Sequence, residues 1–170
     1  MSVTKLKIRT FGDPCLRLKS AAVKEVGPAE RMLIAALIET MHEHKGIGLA
    51  APQVGINQQI FVADTGDGPV AVINPKVIKK TGSGLLEEGC LSLPGVTVEM
   101  RRAQKILVKY IDENNRPVEA AYDDLMARVI QHETDHLAGI VYVDRMKDLS
   151  TLTHLAEWQK HWLGRPEPAD

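Results

Sequence analysis

The stretch DLMARVIQHETDHLAG, residues 124–139, decides how the rest of the chain is read. Leu125, Val129, His132 and His136 fall on one stripe of an α-helix, because residues three or four apart share a helix face. Asp123 and Asp124 suit the start of that helix, by capping and by the helix dipole. Gly139 suits its end. The spacing therefore predicts a helix over 125–138. Inside it, His132-Glu133-Thr134-Asp135-His136 has the form H-E-x-x-H. Two imidazoles one turn apart on one face are placed to hold a single ion, with Glu133 beside them to act on water. They share their stripe with apolar residues, so they point inward, where charges interact strongly. The plain alternative is a pair of core histidines with satisfied hydrogen bonds.

A hydrolytic metal site needs a third protein ligand and an open position. The longer zinc-protease pattern continues through Gly139, but Tyr142 stands where its last histidine belongs. Glu157, further along, is at a separation that some zinc proteases use. The third candidate is Cys90, in Glu87-Glu88-Gly89-Cys90-Leu91-Ser92. Glycine beside it allows a close backbone approach, and a thiolate is a strong ligand for a divalent cation. Other histidines fit less well. His42 and His44 do not share a helix face, and His154 and His161 read as solvated surface.

Outward from the motif helix, residues 1–26 look irregular, with turn chemistry at Gly12-Asp13-Pro14. From Pro28 to His44 the residues Met32, Leu33, Ala36, Leu37, Thr40 and Met41 recur at helical spacing, and Gly46 and Gly48 stop that helix. Ile60–Ala63, Val70–Ile73 and Val96–Val98 read as short strands. Lys105–Ile111 and Pro117–Ala121 flank the polar turn 112–116, a hairpin pattern. Segment 148–164 reads as a last helix, from about Leu149 to Leu163, and 165–170 as a frayed tail. Helix, strands, helix is an α+β pattern with mostly antiparallel sheet. A chain of 170 residues, 44% apolar, fits a single domain, 1–170, with a sizeable core.

A net charge of −1 gives no electrostatic reason to expect DNA or an anionic membrane as a partner. No apolar run reaches the length of a membrane span, and the N-terminus carries no signal-peptide pattern. Two cysteines, Cys15 and Cys90, are too few for a disulfide framework. A reduced, cytoplasmic setting is the expectation.

Three segments now stand in order: Gly46-Ile47-Gly48-Leu49-Ala50-Ala51-Pro52-Gln53, Glu88-Gly89-Cys90-Leu91-Ser92, and Gln131-His132-Glu133-Thr134-Asp135-His136. Together they resemble the three signature motifs of the peptide deformylase family, and the resemblance extends over about residues 1–147. It implies antiparallel sheets packed around a central H-E-x-x-H helix. It implies removal of the formyl group from the initiator N-formylmethionine of new proteins, in the bacterial cytoplasm or an organelle, with the bacterium favoured. It implies Cys90, His132 and His136 as metal ligands and Fe²⁺ as the ion, with Ni²⁺, Co²⁺ or Zn²⁺ as substitutes. Glu133 would activate the metal-bound water, and Gln53 with the backbone N–H of Leu91 would hold the oxyanion. Formylmethionyl nascent peptides are the implied partners, with transient contact near the ribosomal exit tunnel. For the substrate pocket the expected residues are Ile47, Gly48, Leu86, Glu88, Gly89, Leu125 and Val129, with Arg102 contacting substrate carbonyls. The competing expectation is a metallopeptidase that uses Glu157 in place of Cys90.

Overall fold

A computed structural model of the chain describes residues 5–146 and 152–153. Helix α1 spans Pro28–Glu43, with proline at its first turn and the Glu30 carboxylate accepting the N–H of Gly27 at 2.9 Å. It buries Leu33, Ile34, Ala36, Leu37, Thr40 and Met41. Met32, expected on the inner face, is 73% exposed, and Ile34 takes the inner position instead. The true apolar stripe is turned by about one residue from the expected one, because Ile34 was left out of it.

Among the described residues eight strands follow in chain order: β1 Gly48–Ala50, β2 Ile60–Ala63, β3 Val70–Thr81, β4 Gly84–Cys90, β5 Leu93–Arg102, β6 Lys105–Ile111, β7 Pro117–Asp123 and β8 Leu152–Thr153. One sheet has the order β1-β2-β3-β6-β7 and the other β4-β5-β8. Every strand pair is antiparallel. The β6–β7 hairpin forms as its sequence requires. The Asp112 carboxylate accepts the N–H groups of Asn114 and Arg116, and Asn115 takes the left-handed conformation (φ 61°). Strand β3 runs past the expected Val70–Ile73 because its far end is polar and exposed; β5 extends beyond the expected Val96–Val98 at both ends, and β4 is a strand that the sequence pattern did not mark.

Helix α2, Asp124–Leu137, carries the motif. Asp123 stands at its N-cap, but its side chain makes no capping hydrogen bond, which corrects that part of the expectation. The N–H of Asp124 instead goes to the carbonyl of Gln104 at 2.9 Å. The helix ends at Gly139 (φ 73°), where a Cβ would lie 2.5 Å from the carbonyl oxygen of Arg17.

Strand β2 is buried on both faces and separates two cores. Ile60 and Val62 pack with Leu37 and Met41 of α1, while Phe61 and Ala63 pack with Val129 and Ile130 of α2. A third cluster joins Val96 and Val98 of β5 to Leu16 and Tyr142. The result is an α+β fold of antiparallel sheets around the motif helix. Most of the expected last helix lies outside the described residues. Its two described positions, Leu152 and Thr153, pair with Val98 and Thr97 as a strand, so no helical turn forms there.

Candidate metal-dependent active site

Three elements meet at one point. Helix α2 brings His132, Glu133 and His136, β4 ends in Cys90, and β1 begins at Gly48. The ligand atoms of Cys90, His132 and His136 all lie within 4.8 Å of one another. Cys90 Sγ is 3.4 Å from His136 Nε2. His132 Nδ1 is 3.1 Å from Glu88 Oε2, so its N–H donates there and Nε2 is left to face the ion. One partly buried cysteine sulfur and two buried imidazole nitrogens, convergent, are a donor set that suits a divalent transition metal. The residues fit the group. Glu157 lies outside the described residues.

The electrostatics of the site separate the two histidines. Burial disfavours charge on both histidines. For His132 the hydrogen bonds to Cys90 and Glu88 outweigh burial and hold its pKa well above the ordinary value. His136 has no such support, and burial together with the nearby His132 and Arg102 charges keeps it neutral. Ligation requires both rings to be neutral, so metal uptake releases a proton.

Glu88 lines the cavity beside the site, and its carboxylate is held by a buried network. Its carboxylate accepts from Arg102 at 2.8 and 3.0 Å, from Arg128 at 2.8 Å and from His132. Burial raises its pKa, but the hydrogen bonds and charges of His132 and Arg102 overcome that and hold it at about 2. Arg102 corrects the sequence expectation. Its guanidinium is buried against Glu88 and against Asp135 (2.7 Å), it does not line the main cavity, and it braces the metal-ligand side chain from behind. Asp135 is in turn gripped by Arg145 at 2.6 Å on each oxygen. Arg128, Asp135 and Arg145 were missed in the sequence. Arg128 and Asp135 sit on the motif helix and Arg145 in the 3-10 turn beyond it, and the i, i+4 relation of Arg128 to His132 was the available signal.

Gln53 is held by its carbonyl end. Oε1 accepts the N–H of Ala50 at 2.9 Å, which turns Nε2 toward Ser92 Oγ (3.1 Å) and Cys90 Sγ (3.6 Å). Glu133 is buried with Oε2 unpartnered among the described residues. Burial is the main cause that raises its pKa to about 7. The His132 and Arg102 charges oppose the shift, and Glu88 and Asp135 add to it.

Beside these groups opens a cavity of about 860 Å³. Ile47, Gly48, Leu125 and Val129 line it, together with Gly89 and Leu91. Leu86, on the same face of β4 as Glu88, is half exposed and is not part of that lining. Gly48 is a tight point, since a Cβ there would lie 2.4 Å from Glu133 Oε1 and 2.8 Å from Val129 Cγ1. Gly48→Ala should therefore push the Glu133 carboxylate aside and lower turnover by about 100-fold, the order expected of a misplacement near 1 Å. Turnover measured beside an unchanged circular-dichroism spectrum checks this, and near-normal turnover would contradict it.

The sequence profile of the polypeptide deformylase family matches residues 5–151. The chain belongs to the polypeptide deformylase family. A peptide deformylase of Thermotoga neapolitana is 44% identical over 147 residues, covering 86% of this chain and 90% of the relative. The crystal structure of the Thermotoga maritima peptide deformylase aligns with a TM-score of 0.83 at 44% identity, over 85% of this chain and 99% of that one. A Met-Ala-Ser-bound peptide deformylase from Acinetobacter baumannii aligns with a TM-score of 0.81 at 30% identity, over 85% and 100%. The deformylase activity is the hydrolytic removal of the formyl group from N-formylmethionine of new chains. The family is metal-dependent, and Cys90, His132 and His136 form a group here that could hold the ion.

Proposed function

We propose that deformylation here runs on Glu133 as general base and acid, with Gln53 Nε2 and the Leu91 N–H as the oxyanion hole and Fe²⁺ as the resident ion. The observation that carries the reading is the buried, unpartnered Glu133 carboxylate next to the convergent Cys90, His132 and His136 donors. Bound there, a divalent metal supplies Lewis acidity and makes water a usable nucleophile near neutral pH. Glu133 takes the proton as the water oxygen bonds to the formyl carbon. It returns that proton to the amine nitrogen as the C–N bond breaks, leaving formate and a free methionine amine. Negative charge developing on the formyl oxygen meets the Gln53 amide, already oriented by Ala50. Each such donor is typically worth about 3–4 kcal/mol. A thiolate with two imidazoles suits Fe²⁺, and Ni²⁺, Co²⁺ and Zn²⁺ suit it as substitutes.

Strand β1 is an edge of the larger sheet, and Gly46, Ile47 and Gly48 line the cavity. An extended peptide pairs with that edge by β-augmentation. Its methionine side chain enters the slot of Ile47, Leu125 and Val129, with Leu86 beside it. Leu125 is 41% exposed and forms the outer wall, while Val129 is buried and forms the floor. Val129→Ala and Leu125→Trp should each change the rate ratio of formyl-Met to formyl-Leu peptides by about 1–3 kcal/mol. Competition assays read this, and an unchanged ratio in both would place the slot elsewhere.

No helix among the described residues is long and apolar enough to cross a membrane, and the relatives named above are bacterial. The bacterial cytoplasm is the proposed setting, with nascent chains met near the ribosomal exit tunnel. The deciding experiment is hydrolysis of formyl-Met-Ala by protein reconstituted anaerobically with Fe²⁺, with unformylated Met-Ala-Ser as control. Cleavage of the unformylated peptide, with the formyl substrate untouched, would overturn the reading.

A further inference from the structure

The chain turns from β4 to β5 through Leu91 and Ser92, and Ser92 is fully buried there. It does not line the active-site cavity, so it touches no substrate. Its hydroxyl oxygen lies 3.1 Å from Gln53 Nε2. The other end of the Gln53 amide fixes which atom is the nitrogen. The N–H of Ala50 needs an acceptor and finds one at 2.9 Å, so that atom is Oε1. An amide nitrogen only donates, so the Ser92 oxygen accepts. The amide is planar, and its nitrogen carries two hydrogens in fixed directions. With one directed at Ser92, the other is left for the metal site, where Cys90 Sγ is 3.6 Å away. Terminal amide torsions have broad energy wells, so the Ala50 bond alone would let the amide plane swing about its oxygen. Ser92 is the second anchor. Both residues are also strapped from outside by the entry segment. The N–H of Arg9 donates to the Gln53 carbonyl at 2.7 Å, and the N–H of Phe11 to the Ser92 carbonyl at 2.8 Å. Serine and glutamine therefore keep one spacing.

From this geometry we infer that Ser92 is a positioning residue for deformylation, whose hydroxyl aims the free N–H of the Gln53 amide at the charge that develops on the formyl oxygen. The inference rests on the oxyanion role proposed above for Gln53. Ser92 itself neither binds substrate nor moves a proton. Its effect falls on the transition state, because an oxyanion donor is aimed where the charge arrives and not at the ground-state carbonyl. A serine that only satisfied a buried amide would cost stability when removed and leave the turnover of the folded enzyme unchanged.

The test is a double-mutant cycle on the metal-loaded full chain with formyl-Met-Ala, with rates normalised to metal content. Ser92→Ala should lower kcat by about 10-fold and leave KM within about 2-fold, the pattern of an interaction made in the transition state. In a Gln53→Ala background the same substitution should change kcat by less than about 2-fold, because no amide is left to aim. Ser92→Thr, which keeps the hydroxyl, should stay within about 3-fold of wild type. The infrared carbonyl band of isotope-labelled formyl-Met-Ala bound to Glu133→Ala protein gives a reading independent of turnover. It should move to higher frequency when Ser92→Ala is added, and should not move when Ser92→Ala is added to Gln53→Ala. Equal losses in the two backgrounds overturn the inference, as does a folded Ser92→Ala enzyme with wild-type kcat or a folded Ser92→Thr enzyme as slow as the alanine variant. Loss of the fold in both Ser92 variants makes the serine structural and overturns it too. A Gln53→Ala enzyme that keeps the wild-type kcat instead removes the oxyanion reading itself, and the inference with it, so the two failures are told apart.

Discussion

Glu133→Ala should lower turnover of formyl-Met-Ala by about 10²–10⁴-fold, the usual weight of a general acid–base group, while the metal content and the fold stay intact. The carboxylate makes no described hydrogen bond through Oε2, so its removal leaves no structural partner stranded. Its environment carries a stability signature as well. Burial raises its pKa from the usual 4.5 to about 7 in the metal-free protein. A carboxyl whose folded pKa is raised is neutral in both states below about pH 4.5. Stability then falls as pH rises toward and through about 7, because the folded state must bury the charge. The shift corresponds to about 3 kcal/mol, an order-of-magnitude figure. Metal-free Glu133→Gln should therefore be more stable than metal-free wild type at pH 8 and equal to it near pH 4. Denaturant melts at the two pH values read the difference. A variant with near-wild-type turnover, or one with no pH-dependent gain, would remove Glu133 from the role proposed for it.

The sequence showed most where chemistry and periodicity coincide. His132, Glu133 and His136 stand on a predicted helix that forms from Asp124 to Leu137, and the β6–β7 hairpin follows from its polar turn. The inner face of α1 was misjudged at Met32 and Ile34, because α1 has a shallow apolar contrast and one misassigned residue turns its stripe. Strand β4 was hidden by its composition, since Leu85, Leu86, Glu87 and Glu88 do not alternate and three of them face solvent. The charged brace behind the metal site was the least legible part. Arg102 reads as a surface residue in isolation, and only the fold brings β5, α2 and the turn at Arg145 together around Glu88 and Asp135. Breaking such a buried network costs more than forming it gains. Residues of this kind are decided by long-range packing and leave little local trace.

Cys90 is where the family reading meets its hardest test. Cys90→Ser should lose the metal and, with it, at least about 100-fold in turnover. Serine keeps the size of the side chain, and Gln53 Nε2, now 3.6 Å from the sulfur, still has Ser92 to hold it. The fold should therefore survive the change. What goes is the ligand, because a serine hydroxyl stays protonated where a cysteine beside a cation gives up its proton. Two imidazoles alone then compete poorly for the ion. Metal analysis after dialysis should show near-stoichiometric ion in wild type and little in the variant. Thermal melts supply a second reading that is independent of turnover. Added Ni²⁺ should raise the melting temperature of metal-stripped wild type, because an ion that binds only the folded state stabilises it, and it should do little for the variant. The wild-type Fe²⁺ form should also lose activity in air as Cys90 oxidises toward sulfinic or sulfonic acid, visible by mass spectrometry, while the Ni²⁺ form endures. A Cys90→Ser protein that keeps its metal and its rate would remove Cys90 from the ligand set, leaving His132 and His136 in need of another third ligand.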